Sequence, residues 1–222
     1  MRGKGMTTIT LKKINRNKVY QYIYQQKETS KLQIVQDLLY GDAIATETVE
    51  LPYENSDDYY NILSENIRQF ITEQNYDTGK IEGISIATQG IISPDGTSVT
   101  YGDIMGNTQM QLSDFSKRLP YPCHLEHDSK AAADLELWNH PQFDSALIFL
   151  LNPNLGGAII TNHEVHQGSH MRSGLIEHIC IDPDGPKCYC GGHGCLETYC
   201  SANTLKEAAG MPVKEFFQLL HN

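Results

Sequence analysis

Three cysteines crowd into the eight residues Cys188-Tyr189-Cys190-Gly191-Gly192-His193-Gly194-Cys195, and His178 precedes them by ten positions. Three thiolates and one imidazole satisfy a tetrahedral zinc ion with no position left open for chemistry, and the glycines let the backbone wrap tightly enough to bring the sulfurs to one ion. A stretch this polar holds few apolar side chains, so a metal cross-link takes the place of a local core. The expectation is one structural zinc held by His178, Cys188, Cys190 and Cys195. Two alternatives stay open: His193 as the fourth ligand instead of His178, and free thiols in an ordinary turn. Cys123, Cys180 and Cys200 are expected to be small buried apolar residues.

The chain of 222 residues has room for one large domain, or a domain with a small appendage, and 40% of it is hydrophobic. Neither disorder nor a fibrous repeat fits that composition, and no apolar run reaches the length of a membrane span. The start, Met1 to Thr8, is basic but leads into no apolar stretch, so a reducing cytoplasm is the expected location.

Charge is unevenly placed. Residues 1–40 carry eight Lys or Arg against two acidic groups, while the rest carries nine basic and 25 acidic groups. A basic arm on an acidic body is the footprint expected when one part meets phosphates, as in DNA; the plainer reading is a solvated basic helix. Leu11, Ile14, Val19, Tyr22 and Ile23 fall near helical spacing, so residues 9–26 read as an amphipathic helix, with a second through Leu32, Ile34, Val35, Leu38 and Leu39. The two resemble a helix-turn-helix pair without a third, base-reading helix.

After Gly41-Asp42 the pattern becomes an alternating strand over residues 43–51, then a helix over 57–74 and a buried strand over 81–87. A turn at Ser93-Pro94-Asp95-Gly96 precedes a short helix over 114–119, a strand over 124–126, a helix over 129–138, and strands over 146–151 and 156–160. Residues 198–222 read as helical. Alternation of this kind predicts an α/β domain over 41–222, behind a remnant DNA-binding unit over 1–40.

The stretch Gly174-Leu175-Ile176-Glu177-His178, with Cys188-x-Cys190-Gly191-x-x-Gly194-Cys195-Leu196-Glu197, resembles the ROK family of bacterial repressors, open reading frames and sugar kinases. Lys13-Ile14-Asn15-Arg16 and Val19 resemble the first two helices of the winged helix-turn-helix in the family's repressors, closest to the sugar-responsive, xylose-repressor-like ones. The resemblance implies a partial actin-like ATPase fold with a zinc loop, preceded by a two-helix remnant, in a homodimer that binds a monosaccharide. Carried over, Asp128 matches the aspartate that acts as general base in the kinases, and Glu197 and His178 match sugar-site residues. Asn107 is a further candidate for sugar contact. The family's Gly-Glu-x-Gly-His reads here with Leu175 for the glutamate and Glu177 for the second glycine, and His127 stands where Asn is usual. By local chemistry alone, Asp128 could instead cap a helix, and Glu197 could be a charge matched to a helix dipole.

The family's kinases hold ATP with an Asp-x-Gly-x-Thr loop, and no such run occurs in this sequence. Around Asn152-Pro153-Asn154-Leu155-Gly156-Gly157 two glycines remain but the usual Thr-Gly start does not. Phosphoryl transfer depends on such positioning groups, so the resemblance implies a regulator, reduced by an internal deletion near residues 38–41 and a shortened end, that binds sugar without phosphorylating it. The alternative is a sugar kinase.

Overall fold

A computed structural model describes residues 19–26, 31–38, 43–73 and 78–220. The first sheet has five strands: β1 (Val19–Gln26), β2 (Lys31–Leu38), β3 (Ala43–Glu50), β4 (Ile81–Thr88) and β7 (Cys123–His127). Their order is β3-β2-β1-β4-β7, with β1 central. β2 pairs antiparallel with β1 and with β3, whereas β4 runs parallel to both β1 and β7, so β1, β4 and β7 end on the same edge. Ligand sites of α/β sheets sit at that carboxyl edge.

Two of the expected elements are overturned here. The helices expected over 9–26 and through Leu32 to Leu39 are, where described, the strands β1 and β2; residues 9–18 lie outside the described residues. Val19, Tyr20, Tyr22, Ile23 and Tyr24 are the β-branched and aromatic residues that strands favour, and the pairing of β1 on both sides outweighs a loose helical spacing. A strand at the centre of a sheet cannot also serve as a helix of a DNA-reading pair. The sheet includes strands from both sides of residue 40.

Helix α1 (Asp57–Glu73) covers this sheet. Ser56 Oγ accepts a hydrogen bond from the Tyr59 amide at 3.2 Å, and Asp57 and Asp58 place negative charge in the first turn, both of which favour a helix start there. Tyr60, Leu63, Ile67, Phe70 and Ile71 recur at helical spacing and bury against Ile84, Ile86 and Leu125 of the sheet. The hairpin of β5 (Ile91–Ile92) and β6 (Val99–Tyr101) and the short helix α2 (Leu112–Ser116) close the same core with Ile92, Val99 and Phe115.

Helix α3 (Asp128–Asn139) leads from β7 to a second, three-stranded antiparallel sheet: β8 (Ala146–Leu151), β9 (Leu155–Thr161) and β10 (Glu164–Val165), in the order β10-β9-β8. Ala133 and Leu137 of α3 bury against Ala158 and Ile160 of β9. Half-buried and exposed side chains alternate along β8, which is an edge strand among the described residues, and Leu147, Phe149 and Leu151 are exposed.

The end of the described chain is helical, as expected, and consists of three short helices: α4 (Glu197–Cys200), α5 (Ala202–Ala209) and α6 (Val213–Leu220). Gly210 closes α5 in the left-handed conformation (φ 64°), and Pro212 follows. No helix of the described residues is long and apolar enough to cross a membrane.

Candidate functional site

Two constellations meet on the segment Ile176–His178, a single 3-10 turn. The first is the cysteine loop. The amide of Cys188 donates to Gly192 O (2.9 Å), that of Gly191 to Cys188 O (3.0 Å) and that of Gly194 to Pro186 O (2.8 Å), so the segment doubles back within a few residues. Gly191 (φ 90°) and Gly194 (φ 59°) sit in backbone regions that side chains disfavour. A Cβ on Gly194 would also collide with the carbonyl of Asp182.

This folding gathers one ligand atom from each of His178, Cys188, Cys190 and Cys195 within 4.8 Å of one another. Cys190 Sγ and Cys195 Sγ are 3.7 Å apart, and His178 Nδ1 is 3.8 Å from Cys188 Sγ. Burial lowers the pKa of His178, which favours the neutral imidazole whose lone pair can bind a metal. Burial pushes the Cys188 and Cys195 thiols up, the direction a nearby cation would reverse. The set that gathers contains His178 and not His193. Cys180 and Cys200 depart from expectation and are exposed, because the segments flanking the loop lie on the surface, whereas Cys123 is half-buried on β7 and packs against the main core.

The second constellation lies at the carboxyl edge of the first sheet. Asp128 opens α3 directly after β7 and is 7% exposed; its Oδ1 accepts from the Ser129 amide (2.6 Å) and Ser129 Oγ (3.1 Å). His127, rather than Asp128, occupies the N-cap position. Glu177 is 6% exposed, and burial, with the charges of Asp128 and Glu197 added, pushes its carboxyl up to about 7. Glu197, 5% exposed, accepts from the Leu155 amide (2.6 Å) and from Asn154 Nδ2 (3.0 Å), which fastens the β8–β9 turn to the start of α4. Asn107 is fully buried, and its Nδ2 donates to Thr88 Oγ1 (2.9 Å) and Gln89 O (2.8 Å) at the end of β4. Thr88 pairs with His127, so Asn107 stands at the same edge as Asp128.

The structure thus brings Asp128 and Glu197 each within reach of Glu177 and hangs Asn107 on the end of the strand beside Asp128. Four buried polar atoms there have no hydrogen-bond partner: Gln89 Oε1, Asn107 Oδ1, His127 Nδ1 and Glu177 Oε2. Such atoms are costly to leave unpaired, and three of the four are acceptors. Gln89 was not legible as a site residue, because it arrives there only through the pairing of β4 with β7. Lys130 was missed too: it is almost wholly buried, and its Nζ donates to Met171 O at 2.7 Å, pinning the loop before Ile176 to α3.

The chain is 31% identical over 154 residues to N-acetylmannosamine kinase of Vibrio vulnificus (strain CMCP6), covering 64% of this chain and 53% of that protein. It is 25% identical over 186 residues to the DNA-binding transcriptional dual regulator NagC of Escherichia coli (strain K12), covering 81% of this chain and 45% of the regulator. Among solved structures, a ROK family transcriptional regulator described as a homolog of E. coli Mlc superposes with a TM-score of 0.73 at 22% identity, over 88% of this chain and 50% of that one. The chain therefore spans about half the length of the curated relatives it matches. The five-stranded order and the second sheet are consistent with the actin-like ATPase fold, and a ROK family profile matches residues 32–220, so the chain belongs to the ROK family.

Proposed function

We propose that this chain is the sugar-sensing part of a ROK regulator, holding one structural zinc and a monosaccharide without phosphorylating it. The observation that carries the sugar reading is the set of unpaired acceptors at Gln89, Asn107 and Glu177 beside the carboxylates of Asp128 and Glu197. Acceptors without donors suit a ligand rich in hydroxyl groups, which brings several donors at once. Asp128, His178 and Glu197, with Glu177 and Asn107, are the contacts we assign. Likeness to NagC, a transcriptional regulator, supports the regulatory role.

For zinc, the donor set fits. Bonds of about 2.3 Å to sulfur in a tetrahedron put sulfurs about 3.8 Å apart, close to the 3.7 Å between Cys190 and Cys195. The ion would supply a cross-link and no open coordination position.

Against phosphoryl transfer stands the composition of two stretches. The sequence Lys27-Glu28-Thr29-Ser30 contains no glycine, and the β8–β9 turn places Pro153, which has no amide hydrogen, beside the Leu155 amide that Glu197 engages. Loops that cradle phosphates rely on free backbone N–H groups. The kinase reading keeps one favourable observation, the likeness to N-acetylmannosamine kinase together with a buried Asp128 at the end of β7. A coupled assay with ATP and common hexoses, pentoses and N-acetylhexosamines decides between them: no sugar-dependent ADP is expected. Calorimetry with the same sugars should show binding that Asp128→Ala abolishes while zinc content is kept. Sugar-dependent ADP release would establish the kinase instead.

DNA contact follows from the basic residues of positions 1–40. Lys and Arg meeting phosphates give affinity without sequence information. Binding is expected to be salt-sensitive and indifferent to sequence, with a dissociation constant near the weak end of the usual range of about 10⁻⁴ to 10⁻⁶ M, since the rest of the chain is acidic. Fluorescence anisotropy on scrambled and candidate operator duplexes at matched salt checks this; roughly a hundredfold preference for one duplex would mean that a base-reading element exists.

A further inference from the structure

We propose that the cavity between the β5–β6 hairpin and the loop over residues 168–173 binds an oxyanion, with the phosphate group of a small phosphorylated metabolite as the fitting ligand. The cavity measures about 670 Å³, within the range of small-molecule sites. Its walls carry Arg172, His170, Ser169 and Ser173 from the loop, and Thr100 with the buried Ile92 from the hairpin side. No carboxylate lines it, although acidic residues exceed basic ones across the chain by ten. Arg172, His170 and Ser173 supply the donors of this lining, since Thr100 Oγ1 already donates to Ile91 O (3.0 Å), whereas the edge at Asp128, Glu177 and Glu197 offers acceptors.

The loop that presents these groups is held in place. Lys130 Nζ donates to Met171 O at 2.7 Å, and the Ser173 amide donates to Gln167 O at 3.2 Å. Gly168 (φ 68°) and Met171 (φ 59°) both adopt left-handed conformations, which turn the chain back on itself. Ser169 Oγ lies 2.9 Å from His170 Nδ1. When the hydroxyl donates to that nitrogen, the imidazole carries its proton on Nε2, where it is free to donate to a ligand. Arg172 is exposed and has no carboxylate partner among the described residues, so its fork of N–H donors remains available for two parallel bonds to a phosphate.

Inorganic phosphate and a hexose 6-phosphate are the two probes, titrated by calorimetry into the metal-loaded full chain at constant ionic strength. Saturable binding of at least one is expected, and Arg172→Gln should weaken it about tenfold or more. Tighter binding of the ester identifies a phosphorylated sugar as the ligand, and equal binding identifies the free anion; either supports the site. Arg172→Gln should leave zinc content, melting temperature and neutral monosaccharide binding unchanged, so failure here is separable from failure of the sugar reading. No saturation by either probe up to about 20 mM, or an Arg172→Gln variant that binds as well as the parent chain, overturns the proposal.

Discussion

Purified protein should contain about one equivalent of zinc per chain, and stripping it should lower the melting temperature by many degrees. Structural zinc in small peptides contributes apparent free energies of about 10 kcal/mol or more, and a domain's whole margin is about 5–15 kcal/mol, so even part of the former is a large share of the latter. The loop has little else to hold it: Cys188 and Cys195 are buried, but Cys190, Gly191 and Gly192 are exposed. Cys190→Ser removes one sulfur from a set that needs all four donors, and His193→Ala removes none, so only the first should lose the metal. Zinc below about a tenth of an equivalent in protein purified without chelator, or full zinc in Cys190→Ser, would refute the assignment.

Phe70→Ala should cost about 3–5 kcal/mol, measured as a shift of the denaturation midpoint at unchanged slope. Phe70 is 1% exposed on α1 and packs in the cluster that joins this helix to β4 and β7. Truncation leaves a cavity that the surrounding isoleucines and tyrosines can fill only in part. The side chain is far along the sequence from the cysteine loop and belongs to a different cluster, so zinc stoichiometry in the folded fraction should not change. A loss below about 1 kcal/mol would mean that this helix does not close the core as described.

Much of this arrangement could be read from residue order, and the exceptions have physical causes. Residues 81–87, 124–126 and 146–151 were legible as strands because each is a short apolar or alternating run, and α1 because Tyr60, Leu63, Ile67 and Ile71 hold one face. The metal set was legible because its four donors lie within 18 residues. The stretch from Val19 to Leu38 misled because Val, Ile, Leu and Tyr at mixed spacing fit period 3.6 and period 2 about equally, and the partner strands that decide between them are distant in sequence. The same non-locality hid Gln89: its place beside Asn107 and His127 follows from contacts spanning 18 residues and more. For Asp128, the helix-capping alternative misplaced the cap by one residue, and its carboxylate instead engages Ser129.

The outward face of β8 bears on the fate of the chain in a cell. Leu147, Phe149 and Leu151 stand exposed on an edge strand, and Ala146 to Leu151 contains no charge and no proline to deter another strand from pairing with it. Chaperones and proteases respond to such uncovered apolar segments as they do to an unfinished fold, and small losses of stability then translate into several-fold losses of abundance. Left uncovered, those six residues would make the lifetime of this protein, and not only its affinity for a ligand, depend on what pairs with β8.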